Sequence, residues 1–260
     1  MNSTSTLVER EEQLWNKVPQ VTIFFWMIKI MATTVGETAA DYLNFNLNWG
    51  LTITTLAITG LLIVALFFQM SANRYIPSLY WLAVVLISVV GTLITDNLVD
   101  NLGVPLESTT LYFSLALLVT FVAWYTSEKT LSIHSITTRK REAFYWLAIL
   151  FTFALGTAAG DLFAETLDLG YLVSAVIFAA IIGLITLAHF RLKLNAVVAF
   201  WLAYILTRPM GASLGDYLSQ PRSEGGLELG TTGTSIIFIV IILGLVLYLT
   251  KTKKDQISLN

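Results

Sequence analysis

The sequence contains no cysteine, which excludes disulfides, thiolate metal sites and cysteine nucleophiles. Histidine is nearly absent too: His134 falls in a basic loop and His189 at the end of an apolar run. Charge is scarce, at 12% of residues against about 25% in an ordinary soluble domain. There is no serine–histidine or metal–histidine constellation, no glycine-rich phosphate loop beside a strand and no soluble catalytic domain, so the chain does not read as an enzyme. No basic domain offers a surface to nucleic acid. The first 18 residues are polar and carry Glu9, Arg10, Glu11 and Glu12. They lack the basic start and apolar core of a cleavable signal, so the amino terminus is expected to stay on the side where it is made.

What is present is hydrocarbon. The 260 residues are 56% hydrophobic, with a mean hydropathy of +0.74. Apolar runs lie near 20–43, 50–70, 77–98, 108–127, 142–163, 171–190, 194–218 and 231–250. A helix needs about 20 such residues to cross roughly 30 Å of hydrocarbon. The runs are continuous rather than alternating, which selects helices over a barrel. The expected fold is an all-α integral membrane protein: a polar segment 1–18, a membrane domain 19–250 and a tail 251–260.

Eight spans put both termini on one side. Of the 15 basic residues, Arg10, Lys17, Arg74, Lys129, Arg139, Lys140, Arg141, Arg191, Lys193, Lys251, Lys253 and Lys254 fall on that side, predicting that it is cytoplasmic. Lys29 and Arg208 lie inside spans, and only Arg222 lies in an opposite loop. Those opposite loops carry Asp100, Glu107, Glu165, Asp168, Glu224 and Glu228. That mouth is acidic.

A motif recurs four times: FWMIKIMATTVGETAADYL, YWLAVVLISVVGTLITDNL, YWLAILFTFALGTAAGDLF and FWLAYILTRPMGASLGDYL. Each has an aromatic residue before Trp26, Trp81, Trp146 or Trp201, then Gly36, Gly91, Gly156 or Gly211, then Asp41, Asp96, Asp161 or Asp216. The motifs are spaced by 55, 65 and 55 residues, so repeats at about 20–75, 76–130, 140–193 and 194–250 pair into two pseudo-symmetric halves. Each unit is one motif helix and one plain helix. Because a unit crosses twice, the motif helices are parallel, and every aspartate lies at a similar depth. This differs from inverted-repeat transporters.

Four residues after each glycine stands Ala40, Thr95, Gly160 or Gly215. Positions four apart share a helix face, so each motif helix offers a small-residue strip for close approach. The tryptophans read as interfacial anchors or packing elements. The chain resembles a bacterial family of multi-pass membrane proteins built from four tandem repeats, each with two transmembrane regions and a characteristic tryptophan. The match covers residues 20 to about 250, and the four motif tryptophans stand at the family's tryptophan position. The resemblance implies architecture in a bacterial plasma (inner) membrane, and no chemistry.

An aspartate in hydrocarbon costs about 2.5–3.5 kcal/mol, so the four should face the bundle interior, water or a partner. Glu37 shares a face with Asp41; Thr92, Thr95 and Asn97 surround Asp96; Thr157 precedes Asp161 by a turn and Ser213 lies near Asp216. Asp100 and Glu165 extend the acidic surface. Oxygen ligands without thiols suit protons, Na⁺, Mg²⁺, Mn²⁺ or Ca²⁺ better than zinc or copper. Asp41, Asp96, Asp161 and Asp216 are therefore the candidate metal ligands, with Glu37 a further ion-binding group. Arg208 is expected to pair with a motif carboxylate or Glu37 until a cation competes, and Lys29 to join it or to snorkel inward. Pro209, with Gly211 and Gly215, makes the seventh span the one expected to kink or break.

The sequence thus predicts a membrane transporter or exporter of cations, with a hard divalent metal such as Mn²⁺ or Mg²⁺ as the narrower expectation and one half rocking against the other. Proton-coupled movement of an organic cation would use the same carboxylates, and a non-transporting sensor or assembly module would use them to specify helix pairing. The lipid bilayer and the cation are the expected partners. No cofactor is needed beyond the transported cation or proton, and the oligomeric state stays open.

Overall fold

The computed structural model describes residues 15–256. The polar start with Glu9, Arg10, Glu11 and Glu12, the tail residues 257–260 and the side chain of Glu165 lie outside the described residues. Each apolar run is a helix, as it must be where lipid offers no partner to the backbone. In chain order these are α1 (Ile23–Asp41), α2 (Leu51–Ser71), α3 (Pro77–Asp96), α4 (Leu106–Glu128), α5 (Arg139–Asp161), α6 (Tyr171–Leu192), α7 (Ala196–Ser219) and α8 (Gly230–Thr252). The spans run 21 to 26 residues, or about 32–39 Å at 1.5 Å per residue, enough to cross a bilayer.

Local chemistry sets the helix ends. Thr22, Thr138 and Asn195 accept from backbone N–H groups of the first turns of α1, α5 and α7, satisfying donors that a helix start leaves free. Pro77 opens α3, where its missing N–H costs nothing. Lys129, Lys193 and Lys253, all left-handed, end α4, α6 and α8. Their charges sit beside the negative end of the helix dipole.

The motif helices are 56–67% buried over their most apolar stretch and the plain helices 17–28%, which sorts them into an inner and an outer ring. Inside, α1 packs on α3, α3 on α5, α5 on α7 and α7 on α1. Each outer helix rests on the motif helix of the next repeat: α2 on α3, α4 on α5, α6 on α7 and α8 back on α1. The ring therefore closes on itself. The two halves show in their loops: Asn48 and Asp168 both have φ 53°, and Gly50 and Gly170 both have φ 74°, at matching positions of repeats one and three.

Two contacts, repeated around the ring, explain the motif. The aromatic residue before each tryptophan packs against the tryptophan of the following repeat: Phe25 on Trp81 at 5.6 Å, Tyr80 on Trp146 at 5.5 Å, Tyr145 on Trp201 at 6.2 Å and Phe200 on Trp26 at 5.7 Å between ring centres. Trp81, Trp146 and Trp201 are buried in this collar. Packing, rather than an interfacial belt, is thus their role. The glycines work the same way. Gly36 receives Ser88, Gly91 receives Phe153, Gly156 receives Arg208 and Gly211 receives Thr33. At each, a Cβ would collide with the neighbouring side chain. Gly160 and Gly215 lie against Pro209 and Thr34 at 3.5 and 3.4 Å, measured from where a Cβ would stand, which makes them closer to ordinary packing.

Of the two forms expected for the seventh span, a kink or a break, the break does not occur: α7 continues as a helix through Pro209, whose ring packs beside Gly156. Irregular backbone appears elsewhere: directly after Asp41, Asp96 and Asp161 the helices continue as π-helical turns, Tyr42–Asn46, Asn97–Asn101 and Leu162–Thr166. The fourth repeat keeps an α-helix through Asp216 to Ser219.

Both described chain ends meet at the opposite end of the bundle from the aspartates, where the Gln20 N–H donates to the Asp255 carbonyl at 2.9 Å. Lys17 donates to the buried Glu142 at 2.7 Å and to the Met70 carbonyl at 3.0 Å. Glu142 ends the basic run TTRKRE that opens α5, so that run supplies a buried ion pair as well as charge. Tyr75 donates to Asp255 Oδ2 at 2.6 Å. Burial holds the Asp255 carboxyl above its ordinary range, and burial together with the neighbouring carboxylate raises the Tyr75 hydroxyl.

Candidate functional site

Every fourth residue of a motif helix turns the same face to the ring axis. Residues 25, 29, 33, 37 and 41 of α1 form one such ladder, with equivalents at 80–96, 145–161 and 200–216. The layers read, from the chain-terminus end, as the aromatic collar; Lys29 with Val84, Ile149 and Tyr204; Thr33 with Ser88, Phe153 and Arg208; Glu37 with Thr92, Thr157 and Ala212; and the four aspartates.

The deep layers are filled. Arg208 is fully buried and reaches from repeat four into the layer beyond its own. It donates to Glu37 Oε2 at 2.9 Å, to the Thr33 carbonyl at 3.0 Å, to Thr157 Oγ1 at 2.7 Å and to Thr92 Oγ1. One guanidinium thus gathers the equivalent positions of the other three repeats. An arginine cannot shed its charge, and a buried guanidinium is tolerable only with a counter-ion and filled hydrogen bonds. Glu37 supplies the first. The threonines and the carbonyl supply most of the second, leaving Arg208 Nε with no partner among the described residues.

Lys29 does not snorkel. It is fully buried, with Nζ 4.2 Å from the Phe153 ring centre and 4.3 Å from that of Tyr204, and that nitrogen has no hydrogen-bond partner among the described residues. Ring faces attract a cation through their quadrupole. Below, Tyr80 and Tyr145 hydroxyls bond to each other at 2.5 Å, and the aromatic collar closes that end of the axis.

The aspartate end is open. Asp41, Asp96, Asp161 and Asp216 line one cavity of about 140 Å³, with Glu37 at its floor and Asn44, Thr95, Asp100, Tyr171 and Gln220 among its walls. The four carboxylates expected to converge therefore do share a chamber, which continues down to the Glu37–Arg208 pair. Among the described residues no three of His, Cys, Asp and Glu stand close enough to hold a metal ion.

Not every neighbour named from the sequence joins it. Asn97 turns outward, donating to Thr55 Oγ1 at 2.8 Å and to the Leu93 carbonyl at 2.7 Å. Ser213 is buried away from the cavity wall. His134 and His189 lie at the other end of the bundle, bordering a lipid-facing crevice; burial lowers His134. Sequence reasoning missed Asn44, Tyr171 and Gln220, which lie beyond the motif or on a plain helix. It also missed the convergence of Thr92 and Thr157 on Arg208. The signal was there, since Glu37, Thr92 and Thr157 occupy one repeat position.

No curated protein and no solved structure matches this chain. A family model matches four times, at residues 24–75, 79–130, 144–195 and 199–255, in register with the four motifs and covering most of the sequence. The eight-helix ring is thus built from four copies of one catalogued unit, and the chain belongs to the family described as Repeat of Unknown Function (DUF347).

Proposed function

We propose that this protein carries small cations across a bacterial plasma membrane, with its chain ends in the cytoplasm and the aspartate chamber as the external entrance. The observation that carries this reading is the chamber itself: four repeat-equivalent carboxylates around one axis, leading to a buried carboxylate already held by an internal cation. Carboxylates inside a membrane protein mark ion pathways by default, and a site lined by one sign of charge concentrates the opposite ion. Arg208 occupies Glu37 as a tethered competitor, and a substrate cation passes by displacing it.

The cargo fits a proton, a hydrated ion or an organic cation in the open form; Mn²⁺ or Mg²⁺ fits if the carboxylates draw together around it. Contacts between the halves, α3 with α5 and α7 with α1, repeat those within each half. Local opening of the Arg208 clamp therefore suits the ring better than rocking of halves. The test is flux in proteoliposomes and cation sensitivity in cells, comparing the natural chain with Asp161→Asn and Asp216→Asn. Loss of flux with intact expression supports the reading. Unchanged flux in stably expressed variants rejects it.

The filled axis favours one other reading, a membrane module that senses or assembles without transporting. On that reading, neutralising an aspartate alters expression or association and no flux is found in any variant.

A further inference from the structure

Lys29 has no part in the clamp, yet it is the most exposed to any change there. It lies one layer from Arg208 on the same axis. Its ammonium is held by two ring faces and by no acceptor, and the carboxylate nearest along its own helix face, Glu37, is already engaged by Arg208. The ionisable groups packed around this layer are Tyr204 and Arg208 of α7, Tyr145 of α5 and Tyr80 of α3. Phe153 is the other wall. α8, packed on the far side of α1, brings only Tyr248 and Lys251, both at its terminal end.

This arrangement makes one charge expendable. A cation that takes Glu37 leaves the guanidinium without its counter-ion, beside a second fully buried cation. Arginine keeps its proton under these conditions, whereas a desolvated lysine gives one up readily. Tyr80 and Tyr145, hydrogen-bonded to each other, lie on the side toward the chain ends, the direction in which a released proton finds water.

We propose that Lys29 is a proton-exchanging group, so that binding of a cation in the aspartate chamber expels the Lys29 proton and return of the proton expels the cation. In this step the Nζ–H bond breaks, the electron pair stays on the amine nitrogen, and the proton passes by way of the Tyr80–Tyr145 hydroxyl pair to water at the chain-terminus end. Cation binding and Lys29 protonation then disfavour one another. Two unit charges about 12 Å apart at an effective dielectric near 20 repel by an amount equal to roughly tenfold in affinity. The inference rests on the cation reading of the chamber and gives it a coupling ion.

The purified full chain in weakly buffered detergent is titrated with Na⁺, Mn²⁺ and methylammonium as chlorides, reading binding by tryptophan fluorescence and released protons by a pH dye. Binding that Asp161→Asn removes defines the chamber. At a pH near the Lys29 midpoint the natural chain is expected to release up to about half a proton for each cation bound, the most that a tenfold linkage allows; Lys29→Met is expected to bind without release and to lose the roughly tenfold gain in affinity as pH rises through that midpoint. Lys29→Arg, a cation that cannot yield its proton, is expected to keep the weaker low-pH affinity of the natural chain at every pH, about tenfold below it at high pH. Chamber binding without proton release by the natural chain, or equal release by Lys29→Met, overturns the inference and leaves the chamber standing. Absence of Asp161-dependent binding for all three probes overturns both.

Discussion

The Glu37–Arg208 pair makes a quantitative demand on stability. Removing one partner of a buried ion pair strands the other and typically costs about 3–5 kcal/mol. Arg208→Met leaves Glu37 at the floor of the chamber with no cation; Glu37→Leu leaves the guanidinium with a carbonyl and two hydroxyls but no counter-charge. Each single variant should therefore lose about 3–5 kcal/mol. The double variant should not lose the sum. Thr92 and Thr157 also donate to the carbonyls of Ser88 and Phe153, both at 3.3 Å, so their hydroxyls keep partners once the guanidinium is gone. Two apolar side chains of similar length then fill the same layer, a replacement that is often neutral or better. A coupling energy of at least about 3 kcal/mol is expected, more than a hundredfold in the folding equilibrium. The assay is reversible unfolding in mixed micelles, followed by tryptophan fluorescence. Additive losses of about 6–10 kcal/mol in the double variant would refute the claim that the two charges form one closed unit.

Two further perturbations test the ring and its terminal end. Gly91→Ala places a methyl 2.6 Å from Phe153 Cβ and 3.1 Å from the Ala154 backbone nitrogen, which neither helix can yield cheaply; a loss of about 1–3 kcal/mol is expected. Gly60→Ala, with nothing within 4 Å, should be neutral or gain up to about 1 kcal/mol of helix propensity, both read as thermal midpoints in detergent. Asp255 sets a pH dependence: burial raises its carboxyl in the folded state, so its contribution is complete below the unfolded value and declines as pH rises through the folded one. The tail should dock more firmly as pH falls toward the carboxyl range, measured by proteolysis or amide exchange near Asp255, and Asp255→Asn should flatten that trend. Equal protection of the natural chain across pH would remove the argument.

The eight spans, the shared direction of the four motif helices and the four units were readable because each is periodic: about 20 apolar residues per crossing, and one motif per pair of crossings. The convergence of the aspartates was readable for the same reason, since equal positions on parallel helices share a depth. What the sequence did not disclose is pairing between repeats. Gly156 looks like any small residue until Arg208 is found lying across it, and the aromatic–tryptophan pair looks like an interface anchor until Phe25 is found on Trp81. Such contacts depend on which helix follows which around the ring. The π-helical turns after Asp41, Asp96 and Asp161 were equally hidden, because an extra residue in a helical turn leaves no mark on hydropathy. Pro209 misled in the other direction. It read as a kink or a break, and the helix runs on through it without breaking, its ring packed beside Gly156.

Four copies of one unit could in principle assemble from separate chains, and such a tetramer would carry the same residue at every quarter. Tethering them in a single polypeptide lifts that restriction. Glutamate stands at one quarter only, threonine at two and alanine at the last, while the arginine that meets them comes from the quarter whose own position is alanine. A self-assembled homotetramer would carry any such arginine, and any glutamate to meet it, four times over and could never hold a single pair. Fusion of the copies is thus what allows a single matched pair of opposite charges at the heart of an otherwise fourfold body.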